Sequence, residues 1–442
     1  MNLRALTLDR FRPIQYLGNK TRLLEEIAEA MAAVIGPDER IADLFSGTAV
    51  VGRRLARRNA VIGVDVQGYA AILGRAMLVA GARDFDEFDE PAFLARADEA
   101  AQSLTMSFAP LIGQEAEALV ALAAGDPLPI TALIEGGSPW RMAEDGNLCC
   151  LPLRVQLLLG TNASTIPDAT AALAFGGVYF SYEQAIQLDA LYHASTTEPP
   201  ERRDVLLAAI LGTASEVVNT VGKQFAQPIR LIDRHGRPKA LLIDRTLRDR
   251  SLDARVRFLD VLTRWRITLA DDKPSNMMIQ ADVDGFLQSD YHWAAAYADP
   301  PYTIDHYSRF YHVLETLVRR DRPKLSRMQK KGVLTTMRGL YRDDRFQSDF
   351  CVPSRAPGAF GRLIEGVARR GAPLVLSYSG HDDADGQRPR SMRVDDLIAL
   401  ARQSYRFVEV LEPRFEGHRK LNADHFNVST QSGTERLILC RI

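Results

Sequence analysis

Asp299-Pro300-Pro301-Tyr302 ends the apolar run of residues 291–298 with an acid, two prolines and an aromatic ring. This pattern reads as a buried strand that stops against two pyrrolidine rings. Each proline holds the residue before it in an extended conformation and offers no N–H of its own. The carboxylate of Asp299 and the carbonyls of Asp299 and Pro300 then form a rigid cluster of acceptors, with the flat face of Tyr302 beside them. A flat heterocycle bearing an exocyclic amine suits such a cluster: the amine donates to the acceptors and the ring stacks on tyrosine. An ordinary Pro-Pro turn closing a strand has the same sequence, so the tetrapeptide alone leaves both readings open.

The elements that must carry this chemistry begin near the N-terminus. Gly18-Asn19 is turn chemistry, and residues 21–35 follow as an amphipathic helix with Leu23, Leu24, Ile27, Met31 and Val34 on one stripe. Lys20 stands at the mouth of that helix, where the dipole favours anions. It reads either as a reach toward a carboxylate ligand or as a solvated side chain. Residues 40–44 read as a short strand entering the small-residue turn Ser46-Gly47-Thr48. A helix follows through Val50 and Leu55, and a second strand, residues 60–64, ends at Asp65. In such a β-α-β unit a nucleotide-like ligand lies over the carboxyl ends of the strands, and an acid at the second strand tip meets ribose hydroxyls. The turn lacks the G-x-G-x-x-G of dinucleotide sites, and Asp43 beside it would repel a phosphate. The adenosine of S-adenosylmethionine, which carries no phosphate, fits better. Arg53, Arg54, Arg57 and Arg58 read as a solvated helix face.

Four motifs in this order, Tyr16-x-Gly18-x-Lys20, Asp43-x-Phe45-x-Gly47, Asp65 and the late Asp299-Pro300-Pro301-Tyr302, resemble the DNA adenine-N6 methyltransferases, a family of amino-methyltransferases. The order is that of the class arranged as lysine motif, cofactor motif, recognition region and catalytic tetrapeptide. Residues 177–189, Asn219 to Gly222, and residues 307–316 are similar to segments common in that class. The resemblance covers roughly residues 12–75 and 176–440. It implies a Rossmann-like class I methyltransferase sheet of α/β class, with an antiparallel C-terminal hairpin and a large, mainly helical insertion. It also implies S-adenosylmethionine as cofactor, held by Tyr16, Gly18 and Lys20 at the methionine end, by Asp43, Phe45, Ser46, Gly47 and Thr48 along its middle, and by Asp65 at the ribose. Asp282, after the strand expected at residues 276–281, or its close competitor Asp284, would lie near the adenine or ribose, and Asp299 near the methyl donor. Asp299, Pro300, Pro301 and Tyr302 would be catalytic, on a base extruded from double-stranded DNA. One departure stands out: the family's cofactor turn usually has a second glycine where this chain has Ala49. That costs little at ordinary backbone angles and more if φ is positive.

Length and composition agree with a soluble globular protein of two or three domains, or of one domain with an insertion. The chain has 442 residues, of which 46% are hydrophobic and 25% charged, with a formal net charge of −1. That charge gives no global pull toward nucleic acid, so DNA would meet local patches. Arg230 to Arg257 carries nine lysines or arginines against four aspartates, with Arg230, Arg234, Arg237 and Lys239 in its turn-rich opening. Lys324, Arg327, Lys330 and Lys331 form a second patch downstream of the tetrapeptide. Both suit phosphate contacts. Cys149, Cys150, Cys351 and Cys440 have no metal-ligand spacing, which predicts reduced thiols, no metal and a cytoplasmic setting. No apolar run is long enough to span a membrane, and no secretory signal is legible in residues 1–12.

The expected organisation is residues 1–80 and 266–442 as two parts of a catalytic domain. Residues 81–175 read as a helical insertion that packs on the core, with an acidic linker at 81–88. Residues 176–265 read as a helical and basic target-recognition region. Late strands are expected at 373–379, 407–411 and 436–442, the last two as a hairpin closing the sheet. The resemblance implies a modification enzyme of restriction–modification or phage-defence type, with a cognate endonuclease or defence-system subunits as partners. The rivals are an RNA adenine methyltransferase, a DNA cytosine-N4 methyltransferase, a protein glutamine methyltransferase, and a non-catalytic DNA-binding module.

Overall fold

The computed structural model describes residues 11–442 except 17, 19, 161–166, 270–274, 305–306, 331, 380–389 and 413–434. A seven-stranded sheet lies at its centre. The strands are β1 (Ile41–Leu44), β2 (Val61–Asp65), β3 (Met277–Gln280), β4 (Ala295–Ala298), β7 (Leu374–Ser379), β8 (Phe407–Leu411) and β9 (Glu435–Arg441), in the order β3-β2-β1-β4-β7-β9-β8. The first five run parallel, while β9 is antiparallel to both β7 and β8. Thus the expected strand pair closes the sheet, with β9 as its inner member. β5 (Arg327–Lys330) and β6 (Val333–Thr336) form a separate two-stranded hairpin.

All residues of β1, β4 and β7 are buried, as a parallel sheet covered on both faces requires. One face packs against helices Leu24–Ala32, Val50–Leu55, Gly68–Leu78 and Tyr307–Arg319. The other packs against Val283–Leu287, Ala356–Ala368 and Val394–Ala401. The register sets Asp43 beside Tyr297 and Leu44 beside Ala298. Connections from β1 lead to β2 and β3 on one side, whereas β4 leads to β7 on the other. The switch point therefore falls between β1 and β4, where α/β sheets place ligands.

The long excursion between β2 and β3 is helical. Its main helices are Glu90–Ala123, Tyr182–Ser195, Pro200–Val217, Ala240–Arg250 and Ala254–Thr268. The first passes through Pro110 without ending, and Ala240–Arg250 lies within the basic stretch Arg230–Arg257. Trp265 is fully buried in the last, Ala254–Thr268. Residues 81–88 are also more than a linker: Ala82–Phe85 is a 3₁₀ turn with Phe85 buried. All of these helices but Ala240–Arg250 share one hydrophobic core with the first sheet face, while Leu242, Ile243 and Leu247 of that helix pack on a separate cluster with Ala118, Leu122, Ile130 and Ile134. Arg250 is a buried tie, donating to Glu115, to the carbonyls of Gly177 and Val178, and to Asn219. Among the described residues no helix is long and apolar enough to cross a membrane.

Candidate active site

Four strand ends deliver four acids to one cavity. Asp43 is the third residue of β1, Asp65 closes β2, Asp282 follows β3 and Asp299 follows β4. The cavity encloses about 320 Å³, within the range of small-molecule sites. Tyr16, Gly18, Lys20, Asp43, Phe45, Ser46, Gly47, Thr48, Asp65, Asp282, Asp299, Pro300, Pro301 and Tyr302 all line it. Every residue read as catalytic or cofactor-binding is therefore in one place.

The turn after β1 is tightly wound. Phe45, Gly47 and Ala49 have φ of 62°, 55° and 58°, and the Ser46 N–H donates to the Val64 carbonyl at 2.9 Å. A Cβ on Gly47 would stand 2.9 Å from the Tyr16 hydroxyl, so glycine lets the turn approach that ring. Ala49 has no such latitude. As a left-handed alanine it carries on the order of 1–2 kcal/mol of strain, which answers the question raised by the missing second glycine. Asp65 helps hold the turn, accepting from the Gly47 N–H and the Gln67 N–H, each at 2.9 Å. Ser46 donates to Asp43 at 3.0 Å. Tyr16 stacks on Tyr311 with ring centroids 5.0 Å apart.

On the opposite wall Lys20 is buried between two carboxylates. Its Nζ lies 3.0 Å from Asp299 Oδ1 and 2.6 Å from Glu435 Oε1, and Ser377 donates to the same Glu435 oxygen at 2.9 Å. The solvated reading of Lys20 is therefore excluded. Tyr302 packs on Tyr378 at 5.2 Å, with Lys20 and Arg390 at 5.5 and 5.1 Å from its ring centroid. Its carbonyl accepts from the Ser391 N–H. The tetrapeptide is thus anchored from β7 and the segment beyond it.

Burial dominates the electrostatics. It pushes Asp43 up to about 7 against its bonds from Ser46 and Gly52. It raises Asp65 to about 6 against the turn N–H groups. It also lifts Asp299 to about 6, with Lys20 opposing and Glu435 reinforcing the rise. Among the described lining residues, Asp43, Asp65, Asp282, Asp284, Asp299 and Asp349 face only Lys20 and Arg362. Arg362 is already paired with Asp284 and Asp349. The cavity carries an excess of acid.

Among the described residues, none of those read as DNA-binding lines this cavity. Arg230, Arg234 and Arg237 are exposed and Lys239 is half-buried; Arg237 pairs with Asp233 at 3.0 Å. Lys324 and Arg327 are exposed, Arg327 near Asp145 at 3.3 Å. Lys330 ends β5, and Lys331 lies outside the described residues. Arg338, just past β6, donates to the carbonyls of Pro228 and Ile229 at 2.6 and 2.7 Å. That contact ties the two basic stretches together in space. A surface groove lined by Arg230, Lys239 and Arg338 lies at the junction.

Sequence reasoning missed Glu435 and Tyr297. The only signal for Glu435 is an acid opening an apolar strand. Tyr297 was read merely as part of the run before Asp299. Phe350 also escaped notice, although it lines the cavity and meets Phe45 edge-on at 5.1 Å.

The sheet order, with an antiparallel β9 inside its edge and acids at a β1/β4 switch point, defines a Rossmann-like methyltransferase. Residues 16–96 match the family model of the D12 class N6 adenine-specific DNA methyltransferases. The match spans the lysine motif, the cofactor turn and Asp65; the tetrapeptide falls beyond it. No curated protein matches the chain.

Proposed function

We propose that this DNA adenine methyltransferase uses S-adenosylmethionine to methylate the N6 amine of an adenine swung out of the duplex into the Asp299-Pro300-Pro301-Tyr302 corner. The observation that carries the reading is the clamp on Asp299. Lys20 occupies Oδ1 and leaves the other carboxylate oxygen and the Pro300 carbonyl as acceptors. The amine of adenine is a poor nucleophile because its lone pair is delocalised into the ring. Two acceptors that receive hydrogen bonds from its two N–H groups favour a pyramidal nitrogen and free that lone pair. Asp299 need not be a strong base, since the nitrogen becomes acidic only as it is alkylated. Positioning and electrostatics do the work. Tyr302 offers a π-face for the base, which cannot reach the site while stacked in the helix.

The cavity suits the cofactor chemically. An acid excess favours a ligand with net positive charge, and S-adenosylmethionine carries a sulfonium and an ammonium against one carboxylate. Tyr16, Lys20, Asp43 to Thr48, Asp65 and Asp282 would hold it, and when bound it supplies an activated methyl group. The joined basic stretches around Arg230, Lys239 and Arg327 would meet DNA phosphates, and residues 176–265 would contribute to target recognition.

The test is to map modified bases in plasmid DNA from cells expressing the wild type or Asp299→Ala. N6-methyladenine at a defined motif is expected in the wild type alone. Finding only N4-methylcytosine, or methylation confined to RNA, overturns the assignment.

A further inference from the structure

Among the described residues, one buried hydroxyl in the cavity has no partner. Tyr297 is the third residue of β4 and lies beside Asp43 of β1 in the parallel register. Its side chain is 1% exposed, it lines the cavity, and among the described residues its hydroxyl makes no hydrogen bond. Burying such a group unpaired costs about 1–3 kcal/mol, and buried tyrosines ordinarily find a partner for the O–H. Phenylalanine would fill the same volume without that cost. The hydroxyl is therefore best explained by something that arrives.

Its surroundings say what. The charged groups that act on the phenol are Asp299, Lys20, Asp43 and Glu435. Lys20 is already engaged by two carboxylates, so this end of the cavity is rich in acceptors and would repel an incoming carboxylate. Asp43 is bonded to Ser46 of the turn, which places Tyr297 toward the cofactor turn. It precedes Asp299 by two residues and is the more buried of the two, so it is set back from the target-base corner. A primary ammonium has three N–H donors and no acceptor, and it fits this environment.

We propose that the Tyr297 hydroxyl is a contact for the α-ammonium of the cofactor's methionine moiety, accepting one N–H beside Asp43. The proposal rests on the S-adenosylmethionine reading above. Its test compares two nucleosides by calorimetry: S-adenosylhomocysteine, which keeps the amino-acid end, and 5′-methylthioadenosine, which lacks it. Loss of one charge-assisted hydrogen bond predicts that Tyr297→Phe weakens the first about 10-fold or more. The second should bind wild type and variant alike. The ligand-free Tm of the variant should be unchanged or higher, because the substitution removes an unsatisfied group. Equal weakening of both nucleosides overturns the proposal, as does unchanged binding of S-adenosylhomocysteine. A ligand-free Tm lower by several degrees would show that the hydroxyl holds the fold, and a rise confined to the KM for DNA would assign it to the target base; either overturns it too. If the wild type binds neither nucleoside, the cofactor reading itself falls and this contact with it.

Discussion

Replacing Glu435 with glutamine isolates the electrostatics of the catalytic corner. Glu435 and Asp299 hold the same ammonium, at 2.6 and 3.0 Å from Lys20 Nζ, so the bonded oxygens lie within about 5.6 Å of each other. At an effective dielectric of about 20, two carboxylates at that distance repel by about 3 kcal/mol. That corresponds to about 2 pKa units. Glu435 is one of the causes that lift Asp299 to about 6. Glu435→Gln keeps an oxygen for Lys20 and Ser377 but removes the charge, so Asp299 should ionise about 1–2 units lower. Only ionised Asp299 offers the acceptor the amine needs. The acid limb of the methyl-transfer rate should therefore move to lower pH by that amount, while the rate near pH 8 changes little. Single-turnover transfer of labelled methyl groups to duplex DNA between pH 5 and 8 measures this. An acid limb that stays in place would refute the coupling of β9 to the tetrapeptide.

Three other perturbations follow from the geometry. Ala49→Gly should stabilise the fold by about 0.5–1 kcal/mol in urea unfolding, because relief of left-handed strain exceeds the added chain entropy; a loss of stability would contradict the φ of 58°. Burial raises Asp43 to about 7 and Asp65 and Asp299 to about 6, above the ordinary carboxylate value near 4. The folded state then binds more protons than the unfolded one across that interval, so ligand-free stability is greatest below pH 4 for these groups and is lost as pH rises through 6 and 7. Thermal melts should show Tm falling over that window, and a cationic ligand such as S-adenosylmethionine should reduce the fall; a Tm that rises with pH in the absence of ligand would contradict the assignment. Lys239→Ala with Arg230→Ala should weaken binding to any duplex alike and lower the salt slope by about 2; an effect limited to one sequence would make them base-reading residues.

The parts of the site legible in the sequence are those whose chemistry is local. Asp43 to Thr48 and Asp299 to Tyr302 each announce themselves within a few residues, because a tight turn after a buried strand admits few residue types. The parallel strands read as short apolar runs for the same reason. What stayed hidden depends on pairing across the chain. The burial of Lys20 is not legible locally until β9, more than four hundred residues later, brings Glu435 against it. The basic stretches look unrelated until Arg338 reaches the carbonyls of Pro228 and Ile229. The hairpin β5–β6 escaped because its strands, Arg327–Lys330 and Val333–Thr336, are short and the first is largely polar, so neither shows the apolar run that marks the sheet strands.

The placement of Glu435 has a consequence for how the fold and the chemistry are linked. A parallel sheet that stopped at β7 would leave that strand's outer edge unpaired and would leave Lys20 with Asp299 alone. The antiparallel β9 pairs with β7 from Leu374 to Ser379, and its first residue, Glu435, meets Lys20 where the register ends, opposite Ser379. Closing the edge and charging the site are therefore one structural act. A shift of β9 by one residue would turn Glu435 to the other face of the sheet, separating its carboxylate from Lys20 while preserving most of the strand's backbone bonds. The pairing that covers the edge thus also fixes which oxygen of Asp299 remains available to the amine.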